Sequence, residues 1–223
     1  MIKGVIFDFD GLIVDTESVW YESYAEVLSD LYNTELQLVH FAKCIGTGND
    51  VLIELFQQLA GESPIDFNYI EKLALQKYNE KLTNPTLRIG VEQFLKEAKQ
   101  LNLKIGLASS SSEKWVKGYL DKLGVLHYFE VINTKDVVNK VKPDPELYVK
   151  TVNDLNLLPT EVIAFEDSLN GLTAAKAAGI YCVIVPNDVT RHMEFTMHDY
   201  HLHSMEEKSL SEVLNNVISK ISK

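Results

Sequence analysis

Two aspartates, Asp8 and Asp10, follow directly on the apolar run Gly4-Val5-Ile6-Phe7. In an extended chain, positions i and i+2 project to the same side, so the two carboxylates fall together at a strand end. Such a pair repels itself and calls for a cation. A small set of oxygen ligands suits Mg²⁺, which keeps several waters and bridges to a substrate phosphate. The same ion would let a carboxylate approach an anionic phosphoryl group. Taken alone, the Asp-x-Asp spacing fits helix-capping or solvated aspartates equally well.

Other chain positions carry matching chemistry. Glu166-Asp167 is a second acidic pair after a buried run, able to complete a metal's ligand set or to cap the next helix. Ser109, after Leu107-Ala108, offers a hydroxyl near the backbone N–H groups of a helix start, an anion-binding arrangement that is also an ordinary serine N-cap. Lys142, in Lys142-Pro143-Asp144-Pro145, is a cation placed just before a helix, with Lys140 as a competitor in the same loop. A formal net charge of −11 repels anionic ligands at long range, so a phosphate site here must supply its own local cation. The same charge argues against general affinity for nucleic acid.

The elements that must position these residues are legible as alternating patterns. Apolar runs at 4–7, 104–108, 129–132, 162–165 and 180–185 each end in carboxylate, hydroxyl or amide residues. Between them lie helical periodicities, such as Val91, Phe94, Leu95, Ala98 and Leu101. Asp144-Pro145 reads as N-cap and first residue of a helix carrying Leu147, Tyr148, Thr151 and Val152. This alternation predicts an α/β protein, a Rossmann-like doubly wound parallel sheet covered on both faces, with ligands beyond the carboxyl ends of the strands. From Thr16 to Asn84 the alternation stops and the pattern is helical throughout. The expected organisation is a core of residues 1–15 and 85–223 with an inserted helical cap at 16–84.

The motifs also resemble a known family. Asp8-Phe9-Asp10-Gly11-Leu12-Ile13-Val14-Asp15-Thr16-Glu17 looks like the first motif of the haloacid dehalogenase superfamily. Leu107-Ala108-Ser109-Ser110 resembles the second, Lys142-Pro143-Asp144-Pro145 the third and Phe165-Glu166-Asp167-Ser168 the fourth. The helical insertion is similar to the cap of the subfamily holding β-phosphoglucomutase and sugar-phosphate phosphatases. The resemblance implies that Asp8 attacks phosphorus and becomes an aspartyl-phosphate, while Asp10 moves protons. It implies Mg²⁺ held by the Asp8 carboxylate, the Asp10 backbone carbonyl and Asp167, with Glu166 close by. Ser109 and Lys142 would bind the phosphoryl group and Gly11 would make the tight turn. Ser110, Thr16 and Gly46 are further candidate substrate contacts.

The expected activity is hydrolysis of a small phosphorylated metabolite, a sugar phosphate. Two alternatives differ in kind: a β-phosphoglucomutase-type mutase, and a non-catalytic binding protein on the same fold. Mutases carry a histidine after the first motif and a cap arginine; this chain has Val19-Trp20-Tyr21 and Asn49 there, with Lys43 or Lys77 as possible substitutes for the cation. A binding protein would have lost the nucleophile or a metal ligand, and neither is lost. Trp20 and Tyr21 fit either cap packing or the cleft wall.

Remaining features bound the class. Cys44 and Cys182 are the only cysteines, which favours two reduced thiols over a disulfide or zinc framework. No stretch approaches the roughly 20 apolar residues of a membrane span, and the N-terminus does not read as a signal peptide, so the expected setting is the cytoplasm, as a monomer. Gly46-Thr47-Gly48 lies in the cap, where substrate contact is a better reading than a dinucleotide fingerprint. His192, His198, His201 and His203 cluster near the C-terminus. They could bind a transition metal, but a solvated edge or loop is the expectation.

Overall fold

The structure, a computed structural model, describes residues 1–45 and 48–221. Its chain order begins with β1 (Gly4–Phe7), followed by four helices: α1 (Glu17–Tyr32), the single turn α2 (Leu38–Phe41), α3 (Asn49–Ala60) and α4 (Phe67–Lys81). Then come α5 (Val91–Gln100), β2 (Lys104–Ala108), α6 (Glu113–Lys122), β3 (Val131–Asn133) and α7 (Glu146–Asp154). β4 (Val162–Glu166), α8 (Leu169–Ala177), β5 (Tyr181–Ile184), β6 (Tyr200–His201) and α9 (Leu210–Ile221) complete it.

The strands form one parallel sheet in the order β3-β2-β1-β4-β5-β6. Strand order reverses at β1, the place where open α/β sheets bind ligands. Period-two alternation sorts the core. Val5, Phe7, Ile105, Leu107, Ile163 and Phe165 pack on one face with side chains of α5, α6 and α9. Ile6, Ala108, Val162 and Ala164 pack on the other with those of α7 and α8. Both faces are covered, which is why the strands read as continuous apolar runs.

Helices α1 to α4 have a separate apolar cluster built on Tyr24, Val27, Leu28, Phe56, Ile70 and Ala74. α1 and α4 pack along each other, and Lys77 and Lys81 tie their outer faces to Glu22, Glu26 and Asp30. This unit touches the core through aromatic rings: the Tyr119 hydroxyl of α6 donates to that of Tyr78 of α4 at 3.3 Å.

Several boundaries differ from the sequence expectation. β3 begins at Val131, because Leu126–Tyr128 winds as a 3₁₀ turn and Phe129 closes it. Pro145, not Asp144, occupies the N-cap of α7, although the Asp144 carboxylate accepts the Glu146 N–H at 3.0 Å. Strand β6 lay hidden in a two-residue segment too short for any periodicity. Among the described residues no helix is long and apolar enough to cross a membrane.

Candidate active site

Register brings the motifs together. Phe7 pairs with Leu107 of β2 and with Phe165 of β4, so Asp8, Ala108-Ser109 and Glu166-Asp167 leave the sheet side by side. The Asp8 N–H continues the ladder by donating to Phe165 O at 3.0 Å.

Lys142 is 2% exposed, and its ammonium donates to Asp8 Oδ1 at 2.5 Å and Glu166 Oε1 at 2.6 Å. Lys140 has a side chain 75% exposed, so the loop's two lysines divide cleanly between site and solvent. Tyr148 of α7 also donates to Glu166 Oε1, at 2.5 Å. Glu166 follows Phe165 on the opposite sheet face, which directs it toward α7 and α8. There it is pressed against Gly171, where a Cβ would meet Glu166 oxygen at 1.8 Å.

Ligand oxygens of Asp8, Glu166 and Asp167 lie within 4.8 Å of one another, all three residues buried. Burial is the main force pushing the Asp8 carboxyl up, to about 8; Lys142 opposes it while Glu166 and Asp10 add to it. Asp167 is likewise pushed well above the usual carboxylate range, first by burial and then by Asp8, Glu166 and Glu17. Three hard oxygen donors with one ammonium among them carry excess negative charge, and this donor set fits a hard divalent cation such as Mg²⁺. Asp10 contributes no side-chain oxygen to that cluster.

The Asp10 carboxylate instead turns toward neutral donors. Thr16 Oγ1 and Trp115 Nε1 each donate to Oδ1 at 3.0 Å, and Ser111 Oγ donates to Oδ2 at 2.6 Å. Ser109 Oγ sits 3.5 Å from Oδ2. Thr16 is fully buried and uses its hydroxyl on that carboxylate, which makes it a support for Asp10. The serine run also divides. Ser112 caps α6 by accepting from Trp115 N–H, which releases Ser109 and Ser111 for the site, and Ser110 lines the cavity. Ser168 caps α8 in the same way, releasing Asp167.

Gly11 takes φ +78°, and a Cβ there would lie 2.2 Å from Asp167 Oδ2, so glycine is required in this turn. Its carbonyl accepts from the guanidinium of Arg88, which also donates to Val185 O and Pro186 O. Asn187, at the end of β5, donates to Asp167 Oδ2 at 2.7 Å. The sequence reading missed Trp115, Ser111, Tyr148, Arg88 and Asn187 as site residues. Asn187 and Ser111 carried a signal, their place just beyond a strand end.

A cavity of about 630 Å³ opens between these strand ends and the helical insertion. Asp8, Asp10, Ser109 and Lys142 form its floor; Trp20, Tyr24, Phe41 and Trp115 give it aromatic walls. Asn49, Glu71 and Lys72 supply polar groups on the far side. Trp20 therefore faces the cleft, while Tyr21 donates its hydroxyl to Leu36 O and packs on Phe41. Lys77 is engaged on the outer surface and Lys43 is exposed away from the cavity lining, whereas Lys72 lines the cavity. Gly46 lies outside the described residues.

His201 and His203 are exposed at the sheet edge, as expected, with ring centroids 5.3 Å apart. Among the described residues the only gathered metal-ligand set is Asp8, Glu166 and Asp167.

Known proteins share this architecture and sequence. YhcW, a provisionally named phosphatase of Bacillus subtilis (strain 168), is 43% identical over 99% of this chain and 100% of its own length. A phosphorylated carbohydrates phosphatase of Thermotoga maritima is 32% identical, covering 80% of this chain and 82% of its own. The crystal structure of CbbY from Rhodobacter sphaeroides with xylulose-(1,5)bisphosphate superposes with a TM-score of 0.77 at 27% identity, over 95% of this chain and 98% of that one. The model of one family, described as haloacid dehalogenase-like hydrolase, matches residues 5–185. With that match spanning most of the chain and all four motifs meeting at the switch point of the sheet, the protein belongs to the haloacid dehalogenase-like hydrolases.

Proposed function

We propose that this protein is a phosphatase for a small phosphorylated carbohydrate, working through an aspartyl-phosphate on Asp8. The observation that carries the reading is the buried Lys142 ammonium at 2.5 Å from Asp8, at the floor of a cavity that Asp10 also lines. It supplies the local cation that a chain of net charge −11 needs in order to hold a phosphate.

In the first half-reaction an Asp8 oxygen attacks phosphorus in line with the ester bond. A P–O bond to Asp8 forms as the bond to the sugar oxygen breaks, and Asp10 gives its proton to the departing oxygen. In the second, Asp10 takes a proton from a water, whose oxygen attacks the same phosphorus and releases phosphate and the free Asp8 carboxylate. Lys142 and the Ser109 hydroxyl bind the phosphoryl oxygens throughout. Asp8, Asp167 and the Asp10 backbone carbonyl, with Glu166 nearby, would hold Mg²⁺, which would supply the charge neutralisation that lets carboxylate and phosphate meet. Ser110 and the Gly46 region are proposed to contact substrate, and residues 16–84 to act as the cap that closes over it.

The aromatic walls and the Asn49, Glu71 and Lys72 side suit a polyhydroxylated substrate with one apolar face. The named activity of the Thermotoga relative supports the same substrate class. Water rather than a sugar hydroxyl is favoured as acceptor because Trp20, near where a mutase has histidine, is stacked on Tyr78 at 4.5 Å and has no acid–base group.

The test is turnover of a panel of sugar and sugar-alcohol phosphates with Mg²⁺, scored for free phosphate, with β-glucose 1-phosphate scored also for glucose 6-phosphate. Phosphate release is expected, and Asp8→Asn is expected to reduce it by about 10⁴-fold or more with the fold retained by circular dichroism. Isomerisation without phosphate release, or retained activity in Asp8→Asn, would overturn the reading.

A further inference from the structure

Among the side chains at the site that belong to none of the four motifs, one links Asp10 to the helical insertion. Trp115, on the first turn of α6, directs its indole N–H to Asp10 Oδ1 at 3.0 Å. Indole is a donor only, so this contact fixes one carboxylate oxygen without competing for its proton as a hydroxyl could. The ring is held on several sides. Tyr119 lies 4.9 Å away one helical turn further along α6, and Tyr78 of α4 and Trp20 of α1 lie at 5.4 and 6.2 Å. Tyr78 and Trp20 are themselves stacked at 4.5 Å. The orientation of the N–H is therefore set by rings from both the core helix and the helical insertion.

We infer that Trp115 is a positioning residue for Asp10, aiming its carboxyl at the leaving oxygen when α1 and α4 seat their rings on the indole. This rests on the phosphatase reading above. Ser111 reaches Asp10 from the loop after β2, and Thr16, the N-cap of α1, reaches it from the first residue of the insertion. Trp115 is the donor whose own ring packs against Trp20 of α1 and Tyr78 of α4.

The prediction turns on leaving groups. An alkyl phosphate releases a strongly basic alkoxide and needs the proton from Asp10. p-Nitrophenyl phosphate releases a stabilised phenolate and scarcely needs it. kcat/KM reports the step up to formation of the phosphoenzyme, in which Asp10 acts as acid. Trp115→Phe keeps an aromatic ring in the stack but removes the donor together with part of the indole's volume. It is expected to lower kcat/KM for a hexose or hexitol phosphate by about 10- to 100-fold, part of the 10²–10⁴ that a positioned acid contributes. For p-nitrophenyl phosphate the loss should be under about threefold. As a second variant, 3-benzothienylalanine at position 115 has the indole's shape with sulfur in place of N–H, and should reproduce the same split if Trp115→Phe folds poorly.

Equal losses for both esters would mean that the indole is only packing and would overturn the inference. So would no loss for the alkyl ester. Wild-type protein that turns over neither ester would instead defeat the phosphatase reading, and the inference with it. Thermal melting of each variant, recorded beside the kinetics, identifies a loss of folding, which lowers both rates together.

Discussion

The carboxylate of Asp8 is surrounded by charge: Lys142 at 2.5 Å, with Glu166 and Asp167 beside it. That of Asp10, two residues on, is surrounded by neutral donors from Thr16, Ser111 and Trp115. Asp8 is buried and Asp10 is half-buried at the cavity wall. The contrast suits the two jobs assigned above. A nucleophile facing an anionic phosphoryl group benefits from nearby cations, which lower the repulsion on approach. A proton carrier has to lose and regain its charge, and neutral dipoles tolerate both states better than a fixed ammonium does.

The largest break in this comparison comes from removing the cation on the Asp8 side. Lys142→Met leaves Asp8 and Glu166 buried with no ammonium between them. The expected cost is about 3 kcal/mol or more by denaturant unfolding at pH 8, together with loss of turnover. The cost should shrink at pH 5, where the Asp8 carboxyl, already raised by burial, can take a proton. Lys140→Met, on the same loop, should stay within about 0.5 kcal/mol. Equal effects from the two substitutions would contradict the division between site and solvent.

A smaller effect sharpens the comparison through pH. Asp8 is raised to about 8 and Asp167 is raised well above its ordinary value, both chiefly by burial. A carboxyl raised in the folded state binds its proton more tightly there than in the unfolded chain. The stability it contributes is full below the unfolded value and is lost as pH rises through the folded one. Protein treated with chelator should therefore melt at lower temperature at pH 8 than at pH 6. Divalent cations bind the deprotonated carboxylates, so the stabilisation by Mg²⁺ should be larger at pH 8. At 100 times its dissociation constant it amounts to about 2.7 kcal/mol. A Mg²⁺-induced shift in melting temperature that is equal at both pH values, or larger at pH 6, would remove the Asp8 side of the contrast.

The smallest expected effect is on the Asp10 side, where support is shared. Thr16→Val deletes one of three donors and should cost about 1 kcal/mol in stability, with alkyl phosphate turnover down by about tenfold at most. A loss as large as that of Lys142→Met would mean that Asp10, too, depends on a single dominant partner.

The residues themselves carried much of this. The apolar runs, the carboxylates that end them and the charge of −11 established a parallel α/β sheet with acidic strand ends and a need for one local cation. The four motifs, in order, named Asp8, Asp10, Ser109, Lys142, Glu166 and Asp167. What adjacent residue types leave open is division of labour among neighbours. Serines at 109, 110, 111 and 112 are chemically alike, and only packing made Ser112 the cap and Ser111 a partner of Asp10. Lys140 and Lys142 differ in sequence by nothing that decides burial. Thr16 stands in the first motif as a candidate substrate contact, and tertiary structure buries it with its hydroxyl on Asp10. Trp115 stands 105 positions from Asp10. Its role depends on α6 meeting α1 and α4, a long-range contact that no local pattern records. Sequence settled which groups the strand ends present; tertiary structure decided which partner each one faces, because side-chain direction beyond a strand end is set by packing and not by periodicity.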